Sequence, residues 1–125
     1  MVQTGFISKI IADAALILST SVTGFILHKT GRPYNTGIFT FHKLLTLGFI
    51  IHLSSILFKF AKDQGISIFL ISLLVLAVVA ILALLATGAM LSIDKQHDVM
   101  LQIHKISAIG FLVGIAVVFY LILGN

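Results

Sequence analysis

The stretch ISIFLISLLVLAVVAILALLATGAML, residues 66–91, carries no charged side chain and no proline. A run of roughly 20 apolar residues, at about 1.5 Å rise each, is enough to cross a hydrocarbon core about 30 Å thick. This run therefore reads as a membrane-spanning helix, and it sets the terms for the rest of the chain. Three more apolar stretches flank it, at about 6–27, 37–60 and 99–123. The connections between them are short and polar: HKTGRPYN, AKDQG and SIDKQHD. A spanning segment must satisfy its own backbone hydrogen bonds, which selects helices, and the alternation of a membrane barrel is absent. The expected fold is an all-α membrane protein. It has four transmembrane helices in an up-down-up-down bundle, forming a single domain over residues 1–125.

Composition agrees. Hydrophobic residues make up 59% of the 125, charged residues 10%, and the mean hydropathy is +1.19. A soluble domain carries about 25% charged residues, so the main surrounding solvent is expected to be the lipid bilayer. There is no cysteine, which excludes disulfides, thiolate metal sites, iron–sulfur clusters and thioether-attached haem. The net charge of +4 is spread near segment ends, a pattern of interfacial anchoring that points away from nucleic acid. The N-terminal stretch has one early lysine followed by an aspartate and reads as a retained first span. Asn35 or Thr36 is placed to cap the second helix, and Asp98 or Asp94 the fourth.

Two segments repeat. HKLLTLGF at 42–49 matches HKISAIGF at 104–111. Thr23-Gly24 precedes the first near the end of one helix, and Thr87-Gly88 precedes the second. His42 follows Gly24 by 18 residues, and His104 follows Gly88 by 16. The chain thus reads as a duplicated helical hairpin, with halves of about 1–62 and 66–125. Short loops make neighbouring helices antiparallel, so both copies share one orientation and their pseudo-two-fold axis runs along the membrane normal.

Such an axis places His42 and His104 at one depth, face to face if both point inward. An ionisable residue inside a membrane is costly and marks a functional site by default. Two opposed neutral imidazoles suit a metal that needs two axial nitrogens, which is haem iron. Zinc needs three or four ligands, and no third residue repeats with the pair. Gly24, Gly88, Gly48 and Gly110 form two equivalent pairs that would either clear space for a porphyrin or let helices pack closely. Lys43 and Lys105 follow the histidines and would meet haem propionates or anchor the interface. Lys29, Arg32 and Lys95 are alternative propionate partners.

His52 lies ten residues beyond His42, about 15 Å deeper, and its repeat mate is Gly114. It is a candidate to bind or protonate a quinone, to line a cavity, or to hydrogen-bond a neighbouring helix. His28, at the end of the first helix, would contact the haem edge or simply be solvated. His97 reads as a loop residue. Asp13 is the one acid that could lie well within a span, and is expected near the interface.

With Thr-Gly ending one helix and His-x-x-x-small opening the next, the chain resembles the four-helix membrane b-type cytochromes. These include cytochrome b561-like proteins and the cytochrome b subunits of hydrogenases and formate dehydrogenases. The resemblance implies a helical bundle holding non-covalent haem b by histidine pairs and passing electrons between a quinone pool and a redox partner protein. It would make His42 and His104 the axial ligands, with Thr23-Gly24 and Thr87-Gly88 bordering the haem. The chain departs from the many two-haem members because no histidine pair lies on the opposite side, so one haem near one membrane face is expected, within a larger complex of a prokaryotic cytoplasmic membrane. No spacing suggests a nucleophile with its base, so an electron carrier is expected rather than a stand-alone enzyme.

The alternative is a haem-free structural or quinone-binding anchor of a respiratory or photosynthetic complex, with His52, Ser54 and Ser55 as polar contacts. A small transporter is the remaining reading. Positive-inside counting places the histidine side in the cytoplasm, but the count is level once Lys43 and Lys105 are assigned to haem.

Overall fold

A computed structural model describes residues 4–65, 67–93 and 97–124. The chain forms four helices: α1 (Thr4–Thr30), α2 (Thr36–Gln64), α3 (Ile68–Ser92) and α4 (His97–Gly124). Each is long and apolar enough to cross a membrane, and there is no strand among the described residues. The protein is an all-α integral membrane protein in contact with the lipid bilayer.

Local chemistry sets the helix ends. Gly31 and Gly65 adopt φ of 68° and 76°, left-handed values that cost a residue with a Cβ. Their amides close α1 and α2 by bonding Leu27 O at 3.1 Å and Ala61 O at 3.2 Å, as helix C-termini commonly do. Asn35 caps α2, its side-chain oxygen accepting from the Ile38 amide at 3.0 Å. Ser67 caps α3 in the same way, accepting from Leu70 at 3.2 Å. Thr36 is the first residue of α2 rather than its cap. Asp98 lies in the first turn of α4, where its negative charge suits the helix dipole, and Asp94 lies outside the described residues. His97, expected in a loop, is the first residue of α4.

The chain divides into two compact units, Met1–Gly65 and Ile66–Asn125, close to the halves of the sequence repeat. In the first unit α1 packs on α2, and in the second α3 packs on α4. Phe49, Leu53 and Ile56 are buried along α2, and Phe111, Ile115, Val118 and Ile122 along α4. That three- and four-residue spacing is one stripe of a helix. Large apolar side chains such as Leu18, Phe58, Leu76 and Tyr120 remain exposed, which suits a surface solvated by lipid. Hydroxyls inside the spans are satisfied locally. Ser19, Ser21, Ser54 and Ser72 each donate to the carbonyl four residues earlier, as side chains without access to water must.

Candidate functional site

In the first unit, packing of α1 on α2 brings His42 against Thr20, Thr23 and Gly24. His42 Nδ1 lies 3.0 Å from the Thr20 carbonyl oxygen and 3.0 Å from Thr23 Oγ1. A carbonyl only accepts, so Nδ1 carries the hydrogen and donates. The Thr23 hydroxyl has one hydrogen of its own, directed to the Thr20 and Ser19 carbonyls at 2.9 and 3.0 Å. It therefore accepts from the imidazole. Donation from Nδ1 sets the tautomer, and the neutral ring carries its lone pair on Nε2.

The second unit repeats the arrangement. His104 Nδ1 lies 2.9 Å from Thr87 Oγ1, and Thr87 donates to the Ala83 carbonyl at 2.6 Å. Thr87 is buried. With the threonine hydrogen directed to its own helix, His104 Nδ1 is again the donor and Nε2 again holds the lone pair. Both histidines sit about two turns inside their helices. Each half thus presents an imidazole whose orientation and tautomer are set by a threonine.

The glycines divide into two kinds. A Cβ on Gly24 would lie 3.1 Å from His42 Cε1, and one on Gly88 would lie 3.7 Å from His104 Cε1. Gly24 makes room for the imidazole of its own half, a reason the sequence did not disclose, whereas at Gly88 a Cβ would only reach ordinary contact with the ring. In each half the threonine holds Nδ1, and in the first half Gly24 also admits the ring edge. Gly48 and Gly110 differ, because a Cβ at either would meet nothing within 4 Å. Packing within the hairpins does not require them to be glycine.

Lys43 places its ammonium 4.3 Å from the Phe39 ring centroid, a cation–π contact one turn back on α2. Lys29 stands 5.6 Å from the Phe25 ring. Lys105 is half-buried on α4, and Arg32 is exposed in the α1–α2 loop. Lys95 lies outside the described residues. His28 is exposed in the last turn of α1, and His97 Nδ1 lies 3.2 Å from Asp98.

The partner that sequence reasoning did not assign is Asp13. The one acid expected to be able to lie well within a span, it is 0% exposed and lies nine residues inside α1. Its Oδ1 is 2.6 Å from His52 Nδ1, and its Oδ2 is buried without a hydrogen-bond partner. His52 thus bonds across to α1. A signal existed: Asp13 precedes Thr23 by ten residues, and His52 follows His42 by ten. In an antiparallel hairpin that spacing puts the two at one level, as it does Thr23 and His42.

No group of three or more metal-ligating side chains occurs among the described residues. No family model matches the chain, and neither a curated protein nor a solved structure matches it.

Proposed function

We propose that the protein is a membrane b-type cytochrome in which His42 and His104 are the two axial ligands of one non-covalent haem b. The observation that carries this reading is the matched seat in each half: Nδ1–H donating to Thr23 or Thr87, a glycine under the ring edge, and the lone pair on Nε2. Haem bound in this way supplies a one-electron couple, with both axial positions of the iron occupied.

The chain's own residues do the rest. Thr23, the Thr20 carbonyl and Thr87 hold the ring orientations, so little side-chain order must be created on binding. Their acceptor oxygens also raise the basicity of Nε2. The apolar spans exclude water around the ligands and so lower the local dielectric. Gly48 and Gly110, one and a half turns beyond each histidine, leave backbone uncovered where a flat macrocycle needs clearance. Lys43 and Lys105 are the cations nearest in sequence to the ligands and are assigned to the propionates.

A site closed to substrate at the iron carries electrons rather than activating substrates. A partner dissolved in the same hydrocarbon, of the quinone class, and a redox protein at the membrane surface are the natural donor and acceptor. The setting proposed is a prokaryotic cytoplasmic membrane, with the chain as one subunit of a larger complex.

The deciding experiment is a reduced-minus-oxidised spectrum of the detergent-purified protein, expressed with ample haem. A sharp b-type α band is expected, lost on replacing either His42 or His104 with alanine. Protein that folds but contains no haem overturns the proposal and leaves a haem-free anchor.

A further inference from the structure

Ten residues beyond the His42 seat, the first unit holds a second polar site that electron transfer does not use. Asp13 is 0% exposed. Its Oδ1 contacts His52 Nδ1 at 2.6 Å, while Oδ2 is buried without a hydrogen-bond partner. A bare carboxylate with one unsatisfied oxygen in an apolar span is costly by several kcal/mol. A charge-separated Asp–His pair at low dielectric also loses more solvation than it regains by attraction. The state that avoids both costs is neutral overall, with one proton between Asp13 and His52 and that proton resting on the carboxyl.

The two partners are not equivalent. Asp13 is sealed, whereas the His52 side chain is 33% exposed. The imidazole is therefore the partner that reaches the surface of the hairpin, and the carboxyl is the store. No other titratable side chain on α2, the helix packed against Asp13, makes a recorded contact with it. Lys9, four residues earlier on α1, and Lys59, seven beyond His52 on α2, are both exposed towards that end of the hairpin.

We infer that Asp13 and His52 form a proton-binding site within the membrane, in which the buried carboxyl stores one exchangeable proton and His52 passes it to and from water. On release the proton leaves through the imidazole and Asp13 becomes a carboxylate held by the His52 N–H. On uptake the reverse occurs, with no bond to carbon made or broken and no redox partner needed. The inference is independent of haem ligation.

Infrared spectroscopy of the full chain in detergent, in H2O and D2O, tests it. The expected result is a protonated-carboxyl C=O band at neutral pH that shifts in D2O, weakens as pH rises and is lost in Asp13→Asn. Asparagine fills the same volume, so this variant keeps the fold. In His52→Phe the band is expected to persist but lose its pH dependence, because phenylalanine fills a similar volume and has no N–H to hold the carboxylate. A wild-type spectrum without the band at neutral pH would make the pair a fixed ion pair. A band unchanged by pH would make it a static hydrogen bond. Either result overturns the inference.

Discussion

At the level of Thr23 and Thr87 the two hairpins carry the same device: a threonine holding a histidine Nδ1, and a glycine beside the ring. Ten residues further along each helix, they part. The first hairpin has Asp13 and His52, while the equivalent positions of the second are Ala77 and Gly114. Ala77 is buried like Asp13, and Gly114 has open space where a Cβ would stand. The proposed haem would take one nitrogen from each half, which accounts for a seat in both hairpins, whereas the proton site inferred for Asp13 and His52 would need only one copy. A buried acid is costly enough that a second would have to be justified by a second task.

The largest expected effect breaks the symmetry outright. His42→Ala and His104→Ala should each abolish haem retention to the same extent, since an axial ligand cannot be half present. Unequal loss in the purified-protein spectrum would show that one histidine is not a ligand.

Next come the threonines. Thr23→Val and Thr87→Val keep shape but remove the Nδ1 acceptor. Loss of such an outer partner weakens metal binding about 10- to 100-fold, measurable by haem titration of the apoprotein. His42 keeps the Thr20 carbonyl when Thr23 is lost, so Thr23→Val is expected to fall at the lower end of that range.

The glycines give a smaller and deliberately unequal effect. Gly24→Ala meets the His42 ring at 3.1 Å and must displace it, whereas Gly88→Ala meets His104 at the ordinary contact distance of 3.7 Å. Haem affinity should fall more for Gly24→Ala, with Gly88→Ala close to wild type. The reverse order would place the haem's own clearance, not the ring's, at Gly88.

The smallest effect concerns the pair found only in the first hairpin. A double-mutant cycle on Asp13→Ala and His52→Ala should give a coupling of about 1 kcal/mol, the scale of interhelical hydrogen bonds in membranes, by unfolding in mixed micelles. The haem spectrum of Asp13→Asn should match wild type, because Asp13 lies ten residues from the seat.

How much of this was legible in the chain differs by feature. The four spans followed from uninterrupted hydropathy, because a segment solvated by lipid cannot hide polar groups. Asn35 as a cap was also readable, since its side chain bonds a backbone amide three residues on. The histidine pair stood out through its duplication. The role of Gly24 and Gly88 was not readable, because small residues in a membrane helix have several uses and only the ring at 3.1 and 3.7 Å selects one. The Asp13–His52 contact was not read from the sequence, because which side chains meet across a hairpin depends on how each helix is rotated about its axis.

The sequence by itself determined four membrane helices, a two-hairpin repeat, and a Thr-Gly and a His-Lys at matching places in each half. These are properties of composition and spacing along one chain. Only tertiary packing decided which atoms meet: Nδ1 of His42 and His104 on Thr23 and Thr87, and His52 on Asp13. Contact between helices depends on how each is rotated about its axis. Where two stretches are apolar nearly all round, hydropathy leaves that rotation open, and the few polar atoms that must find one another in hydrocarbon fix it.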